Sequence, residues 1–150
     1  MKSLFAAAAL ACALVTPAFA ADEAALAPVH QFANGMNKND IKSAIAAFAT
    51  SHTLTDEFTP FYWQGTDAIS AWLKDFGAFA QKNGITEPTL KLVKRKAFNQ
   101  DGDKAYYVAS AVFAYKEGGK AVAEHGLVTF GLAKESAGWR ITSFTWALDH

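Results

Sequence analysis

KAYYVASAVFAYKEGGKAVAEHGLVTFGLAKESAGWRITSFTWAL, residues 104–148, holds three β-rich runs, about 104–116, 120–133 and 139–148. The connections between them, Glu117-Gly118-Gly119 and Glu135-Ser136-Ala137-Gly138, fit hairpins and are too short for parallel crossovers. A fourth run, about 89–98, precedes them across the turn Asn99-Gln100-Asp101-Gly102. The four runs predict an antiparallel sheet. Strand alternation puts Tyr107, Phe113 and Tyr115 on one side and Tyr106, Val108 and Val112 on the other, so both faces need cover. Helices can cover one face. A second copy of the chain is a natural cover for the outer face, and Phe144, Trp146 and Leu148 add to the expectation of a homodimer, with a single-chain core as the alternative.

Upstream of Asn83-Gly84 the periodicity is helical. Val29, Phe32, Ala33 and Met36 recur on one face of a first helix. Asp40 can cap a second, short helix carrying Ile41, Ala44, Ile45 and Phe48. Thr66 can cap a third, with Ile69, Trp72, Leu73, Phe76 and Ala80 on one stripe, until Asn83-Gly84 ends it. Between the second and third, residues 53–58 alternate as a strand and Phe61-Tyr62-Trp63 can form a short one. The fold class is α+β: helices packed on a sheet.

The first twenty residues have the parts of a secretory signal: Lys2, an apolar stretch from Leu4 to Val15, and Ala18-Phe19-Ala20 as a small-x-small cleavage site. The expected division is a signal peptide at 1–20 and one domain at 21–150, periplasmic or secreted, with no membrane attachment after cleavage. Cys12, the one cysteine, lies inside the signal, so the mature domain would have no disulfide framework and no thiol nucleophile. The chain carries 14 Lys and Arg against 14 Asp and Glu, and cleavage removes only Lys2 from that balance. Such a near-neutral chain is a poor nucleic-acid ligand. Its basic cluster, Lys91, Lys94, Arg95 and Lys96, fits a solvated strand face better than a phosphate site.

The order of elements resembles the cone-shaped fold of the nuclear transport factor 2-like (NTF2-like) superfamily. Thr53-Leu54-Thr55-Asp56 followed by Gly65-Thr66-Asp67-Ala68-Ile69 resembles the strand-to-helix segment of its ketosteroid isomerase-like and SnoaL-like members. The junction Met36-Asn37-Lys38-Asn39-Asp40-Ile41 and the closing Gly138-Trp139-Arg140-Ile141 are similar too. The resemblance implies N-terminal helices on a bent antiparallel sheet, with Asp56 at the position of the carboxylate that shuttles a proton. Phe32 stands where the isomerases carry an oxyanion-binding tyrosine, and Gly126-Leu127-Val128-Thr129 where they carry a protonated acid. Without those donors, steroid isomerisation by the known mechanism is not expected.

Two residues are candidates for chemistry. Asp56 can serve as a general base if an apolar pocket raises its pKa, and otherwise is a solvated strand-end carboxylate. His125, mid-strand beside Glu124, can donate a hydrogen bond or accept a proton, or be a core histidine tied to the backbone. Strand alternation sends Glu57 to the face opposite Asp56, which would keep the pair from acting in one site. His52 and His150 are expected at the surface, and His30 near the cone's mouth. No histidine spacing suits a metal, and no phosphate loop, nucleophile elbow or dinucleotide fingerprint is present, so no metal or cofactor is expected. Phe32, Phe58, Trp63, Trp72, Tyr107, Phe113 and Tyr115 can line a cavity for an apolar or aromatic small molecule, with Thr145 as a polar contact, or simply form the core. Three functions follow: an exported small-molecule-binding protein, a proton-transfer enzyme of isomerase, cyclase or lyase type using Asp56, or a dimeric interaction module.

Overall fold

The computed structural model describes residues 18–149, with side chains from Asp22 onward; most of the expected signal peptide lies outside the described residues. Helix α1 spans Ala18–Asn37, so the expected cleavage site falls at its start. Helix α2, Ile41–Ala46, is capped by Asp40, whose carboxylate accepts the Ser43 N–H at 3.1 Å. The two helices meet where a Cβ on Gly35 would come within 2.8 Å of the Ala44 nitrogen, so only glycine permits the approach.

Strand β1 runs Phe48–Thr55 and β2 Tyr62–Gly65, and helix α3 spans Ala68–Asn83. The expected strand over 53–58 is therefore corrected: it starts earlier and stops at Thr55. Residues 56–61 form a tight loop, closed by the Asp56 N–H bonding to the Phe61 carbonyl at 3.2 Å. Gly84, with φ +66°, ends α3 as its sequence predicts. The start of α3 differs. Its N-cap residue is Asp67, which makes no capping hydrogen bond, and Thr66 is not the cap. The acceptor comes from β1 instead: His52 Nε2 takes the Ile69 N–H at 2.9 Å while Nδ1 lies 2.8 Å from the Ala49 carbonyl. His52, expected at the surface, is only 3% exposed because it ties strand to helix.

The sheet continues with β3 (Ile85–Asp101), β4 (Lys104–Glu117), β5 (Lys120–Glu135) and β6 (Gly138–Leu148), in the order β2-β1-β6-β5-β4-β3. The four C-terminal strands form the expected antiparallel meander. β1 pairs antiparallel with β2 but parallel with β6, which departs from an all-antiparallel sheet. A parallel neighbour is possible because the chain between β1 and β6 holds a whole helix and three long strands. Helix α1 packs on β3, β5 and β6, and α3 on β1, β2 and β3. The helices thus cover one sheet face, where Phe32, Phe130, Leu54, Ile69, Leu132 and Ile141 are fully buried. Among the described residues no helix is long and apolar enough to cross a membrane.

Phe144 and Trp146 turn into this covered face, against Phe32 and Phe113 respectively, so they are core residues and not part of an outer patch. The outer face carries Val108, Val112 and Leu127, half-buried, with Tyr106, His125 and Ala147 exposed. No helix of the described chain lies over it.

Candidate functional site

The helix-covered face closes completely at one end and opens at the other. At the open end a pocket of about 780 Å³, its mouth included, lies between the last turn of α1, the inner side of α3, the start of β3 and the stems of β4, β5 and β6. Its apolar wall is aromatic. Trp72 and Phe76 stack at 5.6 Å between ring centres, Phe58 stacks on Phe79 at 5.3 Å, and Phe113 meets Phe76 edge-on at 6.0 Å. Asn37 fixes the rim by pairing with both backbone groups of Leu90, each at 2.8 Å.

Three carboxylates share this pocket: Asp56, Glu57 and Glu124. The separation of Asp56 from Glu57 expected from strand alternation is overturned, because β1 ends before both of them and the loop turns both inward. Asp56 is held by two donors, the Trp72 indole N–H at 2.9 Å and the Glu57 backbone N–H at 2.8 Å. Burial still pushes its pKa above the usual carboxylate value, with those two bonds pulling the other way and Glu124 adding to the rise. Glu57 is exposed as a residue, yet its carboxyl end sits among apolar rings and other acids. Desolvation first, then the charges of Glu124 and Asp56, push it up to about 7, against the opposing effect of the Trp146 indole. Tyr115 donates its hydroxyl proton to Glu124 at 2.7 Å. That bond, before burial and the surrounding acidic charge, drives the phenol well above its ordinary pKa. The phenol is therefore a fixed donor at neutral pH.

The Trp146 ring lies directly over residue 126, a place that only glycine leaves free. A Cβ there would stand 2.8 Å from the indole ring and 2.6 Å from the Ala147 carbonyl.

Of the residues singled out in the sequence, Asp56, Phe32, Phe58, Trp72, Phe113 and Tyr115 line the pocket. Four do not. Trp63 lies behind Phe58, its ring at 5.1 Å, and donates to Asp75 at 2.8 Å. Tyr107 is buried against Phe130 at the closed end. His125 and Thr145 lie on the outer face, because their strand neighbours Glu124, Phe144 and Trp146 occupy the inner one. His125 therefore cannot assist Asp56. His30 is exposed and away from the pocket lining.

Three lining residues were not expected in the site: Glu57 was assigned to the opposite face, Trp146 to a dimer surface, and Glu124 was given no role, although one signal pointed to it. The hairpin at Gly118-Gly119 sets Glu117 opposite Lys120 and hence Phe113 opposite Glu124, so the inward direction of Phe113 fixes that of Glu124. Among the described residues, no group of three or more His, Cys, Asp or Glu side chains is placed to hold a metal ion.

No family model and no curated protein matches the chain by sequence. Solved structures do match its fold. A proposed scytalone dehydratase from Novosphingobium aromaticivorans superposes with a TM-score of 0.72 at 11% identity, covering 88% of this chain and 86% of the other. A proposed dehydratase of the NTF2-like family from Streptomyces avermitilis gives 0.71 at 15% identity, covering 88% and 98%. A ketosteroid isomerase-like protein from Erwinia carotovora atroseptica gives 0.66 at 15% identity, covering 86% and 96%. The chain has the NTF2-like α+β cone fold.

Proposed function

We propose that the protein is an exported small-molecule-binding protein that takes a ligand with an apolar or aromatic body into the open end of its cone. The observation that carries this reading is the pocket itself, an unfilled space walled by Phe58, Trp72, Phe76 and Phe113 in a chain whose other inward aromatics pack tightly. Export rests on the three-part signal at the N-terminus. Cleavage after Ala20 would leave α1 the buried residues Ala25, Leu26, Val29 and Phe32. The uncovered row of Val108, Val112 and Leu127 supports a homodimer through the outer sheet face, which light scattering of the purified protein tests directly.

Proton transfer is the second reading, and the acid cluster favours it. Glu57 near neutral pKa can exchange a proton at working pH, Asp56 is anchored at a defined spot, and Tyr115 is a fixed donor. Dehydratase and isomerase-like proteins among the fold's neighbours are consistent with a reaction of that type. Thermal denaturation against a panel of small aromatic compounds separates these readings, since binding to the native state raises the melting temperature. A stabilising compound lost in Trp72→Ala supports the pocket. Conversion of that compound, lost in Glu57→Gln, supports turnover. If no compound stabilises the protein and Trp72→Ala responds like the parent, the pocket reading fails.

A further inference from the structure

The charge inside the pocket specifies more than an apolar ligand. From the loop after β1 come Asp56 and Glu57, and from β5 comes Glu124, the acceptor of the Tyr115 hydroxyl. The lining residues of α1 (Phe32, Met36, Asn37), of α3 (Trp72, Phe76, Phe79) and of β3 (Ile85, Pro88, Thr89, Leu90) carry no charge, and neither do those of β6. Among the described residues, no Lys, Arg or His lines the space. Lys116, next to Tyr115 in the chain, pairs with Glu87 at 2.7 Å outside the lining.

A neutral ligand filling this space would strip water from the carboxylates without replacing it by a counter-charge, and an anion would meet direct repulsion. A bare metal ion is poorly served, because the acids do not converge on one point among the described residues. An organic cation resolves the charge and also gains from aromatic side chains, which attract ammonium groups through the ring quadrupole. Resting on the reading of the cone as a ligand pocket, we propose that its ligand is an amine, protonated or quaternary, carried on an aromatic or aliphatic body, with the cationic group set between Asp56, Glu57 and Glu124. The proton held near neutral pH by Glu57 gives this binding a signature. A cation favours the ionised carboxylate, so binding expels the proton, and affinity rises as the pH rises through about 7.

The test uses two probes of the same shape, phenyltrimethylammonium and tert-butylbenzene, with binding to the purified protein followed by tryptophan fluorescence. At pH 8 the cation binds about tenfold more tightly than its neutral twin, and the gap closes by pH 5 in the parent protein. In Glu57→Gln/Glu124→Gln most of the preference is lost at pH 8 while the neutral probe still binds. If the neutral probe binds as well as the cation at pH 8, the charge assignment is wrong and the pocket reading survives. A preference for the cation that ignores both pH and the double substitution overturns the assignment to Glu57 and Glu124. Should neither probe bind, both readings fall.

Discussion

Phe130 and Glu124 lie on the same strand, β5, and point to the same side of the sheet, yet one is fully buried and the other helps line an open pocket. Around Phe130 the rings of Phe32, Tyr107 and Phe144 close within 6.3 Å of its own. Around Glu124 the helices no longer fill the space, and acids, indoles and a phenol face the gap. One face of one sheet thus serves two purposes, and the difference comes from where α1 ends. Asn37 terminates the helix at the rim, fastened to Leu90, so α1 extends no further over the hairpin stem of β4 and β5.

The contrast is broken most directly by truncating a ring at each end. Phe130→Ala should cost about 3–5 kcal/mol in chemical denaturation, the range for a large aromatic lost from a sealed core. Phe113→Ala, half-buried at the pocket wall, should cost roughly half as much, since less surface leaves water there on folding. Equal losses would mean that the pocket end is as closely packed as the core.

A smaller effect is expected from His52→Ala, about 1–3 kcal/mol, because the Ile69 N–H and the Ala49 carbonyl lose a shared partner in a buried place. Burial lowers the pKa of His52 below 6.5, against the opposing pull of the Ala49 carbonyl and Asp67. The folded protein therefore resists a proton that the unfolded chain accepts. The stability this contributes is present above pH 6.5 and is lost as the pH falls below it. In His52→Ala that acid-side loss should be reduced.

The open end titrates in the opposite sense. Glu57 has its pKa raised from 4.5 to about 7, so between those values the folded protein holds the extra proton and stability declines as the pH rises. Glu57→Gln should flatten the pH dependence of the melting temperature across that window and leave the His52 limb in place. An unchanged profile would show that the Glu57 carboxyl is as well solvated in the folded protein as in the unfolded chain.

The subtlest probe is Trp72→Phe. It removes the indole hydrogen bond that restrains the rise in the Asp56 pKa, so NMR titration of the Asp56 side-chain carbon should move to still higher pH. The accompanying loss of stability should be about 1 kcal/mol, the usual net worth of one hydrogen bond.

Much of the scaffold was legible because it follows local rules. Period-2 alternation with three short turns gave the meander, Asp40 and Gly84 announced a helix start and a helix end, and the stripe of Val29, Phe32 and Met36 marked the face that meets the sheet. The site was legible only in part. Asp56 was found through the family resemblance of its strand-to-helix segment and Trp72, Phe113 and Tyr115 through their types and spacing, whereas the weight given to His125 was misplaced by one residue on an alternating strand. That error moves a side chain through the sheet.

From the residues alone came the α+β class, the hairpin connections and the aromatic supply of the interior, since each depends on near neighbours in the chain. Folding in three dimensions decided which carboxylates meet. Asp56 and Glu57 share a pocket because a loop closed by the Asp56 N–H to Phe61 carbonyl bond cancels strand alternation, and Glu124 joins them from a strand formed much later in the chain. Their raised pKa values, and the capping of α3 by His52 across from β1, arise from desolvation and contacts between distant segments, which no local pattern encodes.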